Sequence, residues 1–158
     1  MKRRVVITGV GPVTPIGTGK ETFWNNLIAG KSGVGIITRF DPTDFDVKIA
    51  GEVKNFEYAD YMDKKEGKRM DRVTHFAVAA AKLAVEDAKL DLEKINQVRA
   101  GVCVGSGIGG IETFVEQTTK YVEKGPSKIS PFFIPMEIPN MPAGQISIAL
   151  GFKGPNTA

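Results

Sequence analysis

Cysteine and histidine are nearly missing from this chain: its 158 residues hold one of each, Cys103 and His75. A lone cysteine excludes an internal disulfide framework and fits a reducing compartment. One cysteine and one histidine cannot complete a zinc set. No catalytic constellation can be assembled from them, and the acidic residues are scattered without pairing. Long apolar runs are missing as well. Nothing approaches the ~20 residues that span a bilayer. The basic start, residues 1–4, leads into a short apolar run at 5–10 broken by Gly9 and Gly11. That pattern is a strand rather than the apolar core of a signal peptide. A strong charge is missing too: the net charge of +3 is too small to imply nucleic acid. A cytoplasmic protein without membrane insertion is the expectation. Its length suits one domain with a real core and is too short for two.

What is present centres on residues 99–110, RAGVCVGSGIGG. Val102, Cys103 and Val104 form a short apolar run of the kind buried on both faces of a helix-covered sheet. In that setting Cys103 is a buried small hydrophobe rather than a nucleophile. Gly105, Gly107, Gly109 and Gly110 follow, a density that means positive φ or close approach of something to the backbone. Residues 112–123 then have helical periodicity. Gly105, Gly107 and Gly110 satisfy G-x-G-x-x-G, which read alone is a dinucleotide site. That fingerprint also needs a second strand after the helix, ending in an acidic residue. Here the helix leads into proline-rich sequence, so close backbone packing beside a pocket competes with the dinucleotide reading.

In chain order, residues 4–8 (RVVIT) read as a first strand. Thr18 and Glu21 have capping-box spacing for a helix whose buried face would be Phe23, Trp24, Leu27 and Ile28, with Gly30 as its stop. Residues 32–53 are irregular, with an edge strand near 47–53. Residues 63–72 (DKKEGKRMDR) form a cluster with a basic excess, in which the acids and the lack of surface aromatics argue against nucleic acid. It is either a solvated charged loop or a docking patch for an acidic partner. Asp71 reads as an N-cap for an alanine-rich helix over about 72–89, suited to close packing, and His75 falls inside it as a partly exposed helix residue. Residues 125–142 (GPSKISPFFIPMEIPNMP) carry five prolines yet are strongly apolar, so the segment should pack under another element or subunit, or line a pocket. A short helix follows at 142–150, with Gly151 as stop. This order predicts an α/β layered fold with a largely parallel, incomplete central sheet.

Several of these stretches together, VVITGVGPVTPIG, DKKEGKRMDR, GSGIGG and KISPFFIPMEIPNMPAGQISIALGFKGPNTA, resemble the N-terminal part of a β-ketoacyl-[acyl-carrier-protein] synthase, its type II elongating branch most of all. They occur in the right order and run nearly end to end. The resemblance implies a thiolase-like layered α-β-α-β-α body that dimerises, of which residues 1–158 are most of the first half. It implies fatty-acid elongation by decarboxylative Claisen condensation with malonyl-acyl-carrier protein, without a cofactor. In similar enzymes GPNTA leads to the nucleophile turn, so the catalytic cysteine is expected a few residues after Ala158 and both catalytic histidines later still. Residues 1–158 would then be inactive alone. By the same resemblance Lys65, Lys68 and Arg69 dock the acidic carrier protein. Ile108 gates the acyl pocket, and Phe133 and Ile134 line it, partly across the dimer interface. A non-catalytic partner of a polyketide synthase, resembling a chain-length factor, is the alternative from the same superfamily.

Overall fold

The computed structural model describes residues 3–158; Met1 and Lys2, which belong to the basic start, lie outside the described residues. The elements are β1 (Val13–Thr14), β2 (Gly17–Thr18), α1 (Lys20–Ile28), β3 (Val34–Ile36), β4 (Ile49–Gly51), α2 (Lys64–Gly67), α3 (Arg72–Asp87), β5 (Val102–Cys103), α4 (Ile111–Lys124), α5 (Phe133–Glu137), α6 (Met141–Leu150) and β6 (Asn156–Thr157). Short 3₁₀ turns lie at Tyr58–Asp60, Gln97–Arg99 and Pro126–Lys128. Helices and strands mix as the α/β class requires.

The core forms where α3, α6 and β5 meet. Val78 and Ala79 of α3, Ala143, Ile146 and Leu150 of α6, and Val102 of β5 are its buried apolar residues. Ala79 and Ala143 are fully buried, and side chains that small let the two helices approach closely. Proline in the first turn of α6 and Gly151 in the left-handed conformation after it bound that helix as expected. The β5 strand pairs in parallel with β6, Val102 against Asn156 and Cys103 against Thr157. The Asn156 amide donates to Ala143 O at 2.9 Å and Ser147 Oγ at 2.7 Å, which fixes β6 to α6.

Another side of α3 receives the start of the chain. A Cβ at Gly9 would run into the Ala84 carbonyl, and one at Gly11 into that of Ala80. The alanine stripe on α3 and the two glycines therefore serve one contact. Its end is fixed by Asp87, which accepts from Val10 N–H at 3.0 Å and from Lys20 Nζ at 2.7 Å. The lysine hydrogen bond, then the Val10 N–H, hold the Asp87 carboxyl below its ordinary 3.8. A carboxyl depressed by folding stabilises above its unfolded pKa and loses that contribution as pH falls through the folded value. Asp87→Asn is therefore expected to be destabilising at neutral pH. Its deficit should shrink and vanish as the pH falls through and below 3.8. Urea midpoints of both proteins across that range check this, and a deficit that persists in acid would contradict it.

Other expectations need correction. Residues 4–8 form no strand: Val5, Val6 and Ile7 are 92%, 66% and 87% exposed, and no ladder partner lies beside them among the described residues. β-propensity without a partner does not make a strand. In place of one largely parallel central sheet, the described residues form three separate two-stranded sheets, of which only β5–β6 is parallel. The edge strand expected near 47–53 is present as β4, antiparallel to β3. The capping box at Thr18 is not formed. Thr18 is held in β2 opposite Val13, and α1 starts after Gly19, at φ 83°, with no side-chain cap. Gly30, at φ 64°, ends α1 as expected. Trp24, Leu27 and Ile28 of α1 are exposed, because no described element covers that face. Cys103 is exposed as well: Val102 takes the core side of β5, and alternation turns Cys103 to the uncovered side.

Candidate functional site

The glycine-rich turn after β5 packs on α5. Gly109 lies at φ 81°, where a side chain is strained, and a Cβ there would run into the Glu137 carbonyl. At Gly110 a Cβ would meet the Met136 carbonyl, and the Gly110 N–H donates to Glu137 O at 2.7 Å. Gly105 and Gly107 face open space. The glycines that matter are thus those that admit α5.

Two of the donors a dinucleotide would need are already engaged. Besides Gly110 N–H, the Thr113 N–H in the first turn of α4 donates to Asp71 Oδ2 at 2.8 Å. A carboxylate there repels a pyrophosphate. Asp71 is buried at 5% exposure, and its Oδ1 accepts from Val73 N–H at 3.0 Å. One side chain therefore caps α3, as expected, and also satisfies α4. The spacing Asp71-x-Val73 signals the first role. The second joins residues far apart in sequence and left no local trace.

The basic cluster is built on α2. Asp63 caps this helix, accepting from Lys65 N–H at 2.8 Å and Glu66 N–H at 3.1 Å. Gly67 is buried beneath the Tyr58 ring, where a Cβ would not fit. His75 Nε2 donates to the Gly67 carbonyl at 2.8 Å, and its ring stacks on Tyr58 with centroids 4.5 Å apart. His75 thus fastens α2 to α3, as a half-buried helix residue. On this support Lys65, Lys68 and Arg69 are all exposed. Lys65 and Arg69 border a cavity of about 540 Å³ between α2, α3 and α6, whose far wall includes Lys82, Gln145 and Ile148. Lys68 lies outside that lining. The guanidinium of Arg69 sits over the Phe132 ring, 4.6 Å from its centroid.

The three apolar candidates are placed around the same turn and α5. Ile108 is 64% exposed at the tip of the turn, and Ile134 is 57% exposed on α5. Phe133 is half-buried against Phe114 of α4, with centroids 6.2 Å apart. Neither isoleucine is enclosed. Among the described residues no His/Cys/Asp/Glu group could hold a metal, and no hydrogen bond joins Cys103 to His75. No described helix is long and apolar enough to cross a membrane.

Residues 2–158 match the family "Beta-ketoacyl synthase, N-terminal domain". Over 156 residues the chain is 51% identical to 3-oxoacyl-[acyl-carrier-protein] synthase 2 of Staphylococcus aureus (strain COL), covering 99% of this chain and 38% of that protein. The protein of the same name from Synechocystis sp. (strain ATCC 27184 / PCC 6803 / Kazusa) is 49% identical over 155 residues, covering 98% of this chain and 37% of the relative. The chain thus spans under two-fifths of the length of these relatives. Among solved structures, the ishigamide ketosynthase/chain length factor superposes with a TM-score of 0.92 at 31% identity, over 100% of this chain and 40% of that one. A β-ketoacyl synthase from Burkholderia phymatum STM815 gives 0.76 at 26% identity, over 99% and 39%. The fold is therefore that of the thiolase-like ketosynthases. Matched from residue 2 to residue 158 by the N-terminal domain, the chain belongs to the β-ketoacyl synthase family.

Proposed function

We propose that this chain is the N-terminal part of a 3-oxoacyl-[acyl-carrier-protein] synthase that elongates fatty acids. The observation that carries this is the identity to proteins of that name, sustained over nearly the whole chain. In the proposed reaction a cysteine thiolate displaces the carrier thiol from an acyl-carrier thioester and becomes acylated. Malonyl-carrier then loses carbon dioxide, and the resulting carbanion attacks the acyl-cysteine. The 3-oxoacyl carrier leaves and the thiolate is restored. This reading puts the nucleophile in sequence following Ala158, and gives Cys103 and His75 no part in the chemistry.

The described residues supply the surroundings. Lys65 on α2 and Lys68 and Arg69 just after it, all exposed, suit an acidic carrier protein. Ile108 stands at the pocket mouth in this reading, and Phe133 and Ile134 line the pocket once a second subunit covers the apolar surface around α5. The likeness to a ketosynthase/chain length factor favours a second reading, a non-catalytic partner of a polyketide synthase. The intact mass of the protein carrying these residues together with the sequence that follows Ala158, after incubation with a long-chain acyl-carrier thioester, separates the two. A gain of one acyl group is expected. A protein that binds the carrier but gains no mass would overturn the enzyme reading in favour of the non-catalytic partner.

A further inference from the structure

We infer that Phe132 is a positioning residue for Arg69, holding its guanidinium ready for a carboxylate of an acidic protein partner. The inference rests on the docking reading above and adds to it a residue outside the basic cluster.

Both ends of the contact are anchored. Arg69 follows α2, whose start is capped by Asp63 and whose end is tied to His75 through Gly67 O. Phe132 opens α5: its N–H donates to Ser130 Oγ at 3.1 Å and its carbonyl accepts from Met136 N–H at 3.0 Å. The far end of α5 is held by the Gly110 N–H on Glu137 O. Two fixed backbones therefore bring the cation over the ring, at 4.6 Å from its centroid. Phe132 is itself 38% exposed, so the contact lies where a partner can reach it.

The other arginines nearby are used differently. Arg72 stacks on Phe76 at 4.6 Å but donates to Val53 O at 3.0 Å, and Arg39 is paired with Glu112. Among the described residues Arg69 makes neither an ion pair nor a side-chain hydrogen bond. Arg69 is exposed, so a guanidinium held over the ring keeps its fork of N–H donors available to a partner. That fork matches a carboxylate bidentately. A side chain already held in this pose loses less conformational freedom on binding than a free one. Lys65 and Lys68 have no such aromatic support and act as mobile point charges.

The test is a double-mutant cycle on the affinity of the protein for a bacterial holo-acyl-carrier protein, measured by calorimetry at low salt. Arg69→Ala is expected to weaken binding roughly tenfold, as for loss of a charged contact. Phe132→Leu should weaken it by about two- to fivefold, the size of an exposed cation–π contact. Phe132→Tyr, which keeps the ring, should bind like the parent. In the Arg69→Ala background, Phe132→Leu should have no further effect. An equal loss from Phe132→Leu in both backgrounds, or no loss in either, overturns the positioning role while the docking reading stands. An unchanged affinity in Arg69→Ala removes Arg69 from the docking reading and the inference with it.

Discussion

Replacing Asp71 by alanine is expected to destabilise the protein by about 2–4 kcal/mol, combining a lost N-cap with a buried N–H left without a partner. The carboxylate accepts from Val73 and Thr113, the first turns of two helices, and is 5% exposed. Water cannot easily take its place at Thr113, which is itself buried. Asp71→Asn should recover only part of the loss. Its single oxygen can cap one helix, but its NH₂ group would then confront the other N–H, donor against donor. A loss of about 1–2 kcal/mol is expected for that variant. Urea denaturation of the parent and both variants gives the comparison. If Asp71→Ala falls within about 0.5 kcal/mol of the parent, as surface substitutions do, the double cap does not hold the helices together.

Gly109→Ala is expected to be comparably costly, at about 2–5 kcal/mol, from left-handed backbone strain plus overpacking against α5. The residue sits at φ 81° and its Cβ would collide with a backbone carbonyl, Glu137 O, that cannot swing aside as a long side chain could. Gly105→Ala and Gly107→Ala, facing open space, should stay within about 0.5 kcal/mol of the parent. Thermal melts of the three variants would rank the glycines. The order distinguishes two explanations of one motif. A turn built to admit α5 is intolerant at Gly109, whereas a turn built to wrap a phosphate is intolerant at Gly105 or Gly107 in activity without a matching loss of stability.

The parts of this structure legible in the sequence are those decided by near neighbours. The Asp71 cap, the boundaries of α3 and α4, the Gly30 and Gly151 stops, and the β4 edge strand all follow from residues within a few positions of one another. The parts that failed depend on what lies alongside. Val5, Val6 and Ile7 have every local property of a strand and form none without a ladder partner. Thr18 has a capping residue's chemistry but is held by Val13 in β2. Cys103 has apolar neighbours and so reads as buried, yet which side of β5 is covered is a tertiary matter. At the candidate site the family resemblance singles out Lys65, Lys68, Arg69, Ile108, Phe133 and Ile134 as candidates. The support beneath them, His75 on Gly67 and Phe132 under Arg69, joins residues from different elements and became visible only in three dimensions.

The parallel pairing of β5 with β6 also sets an order of events during synthesis. Val102 finds its partner at Asn156, and α4, α5 and α6 all lie between them. On the ribosome β5 must wait, single-stranded, until the last described residues have left the exit tunnel. Local pieces such as the β3–β4 hairpin and α3 can form long before then, because their contacts are short-range. The nascent chain therefore carries an unpaired apolar strand for as long as α4, α5 and α6 are being made, the state in which a holdase chaperone has most to bind.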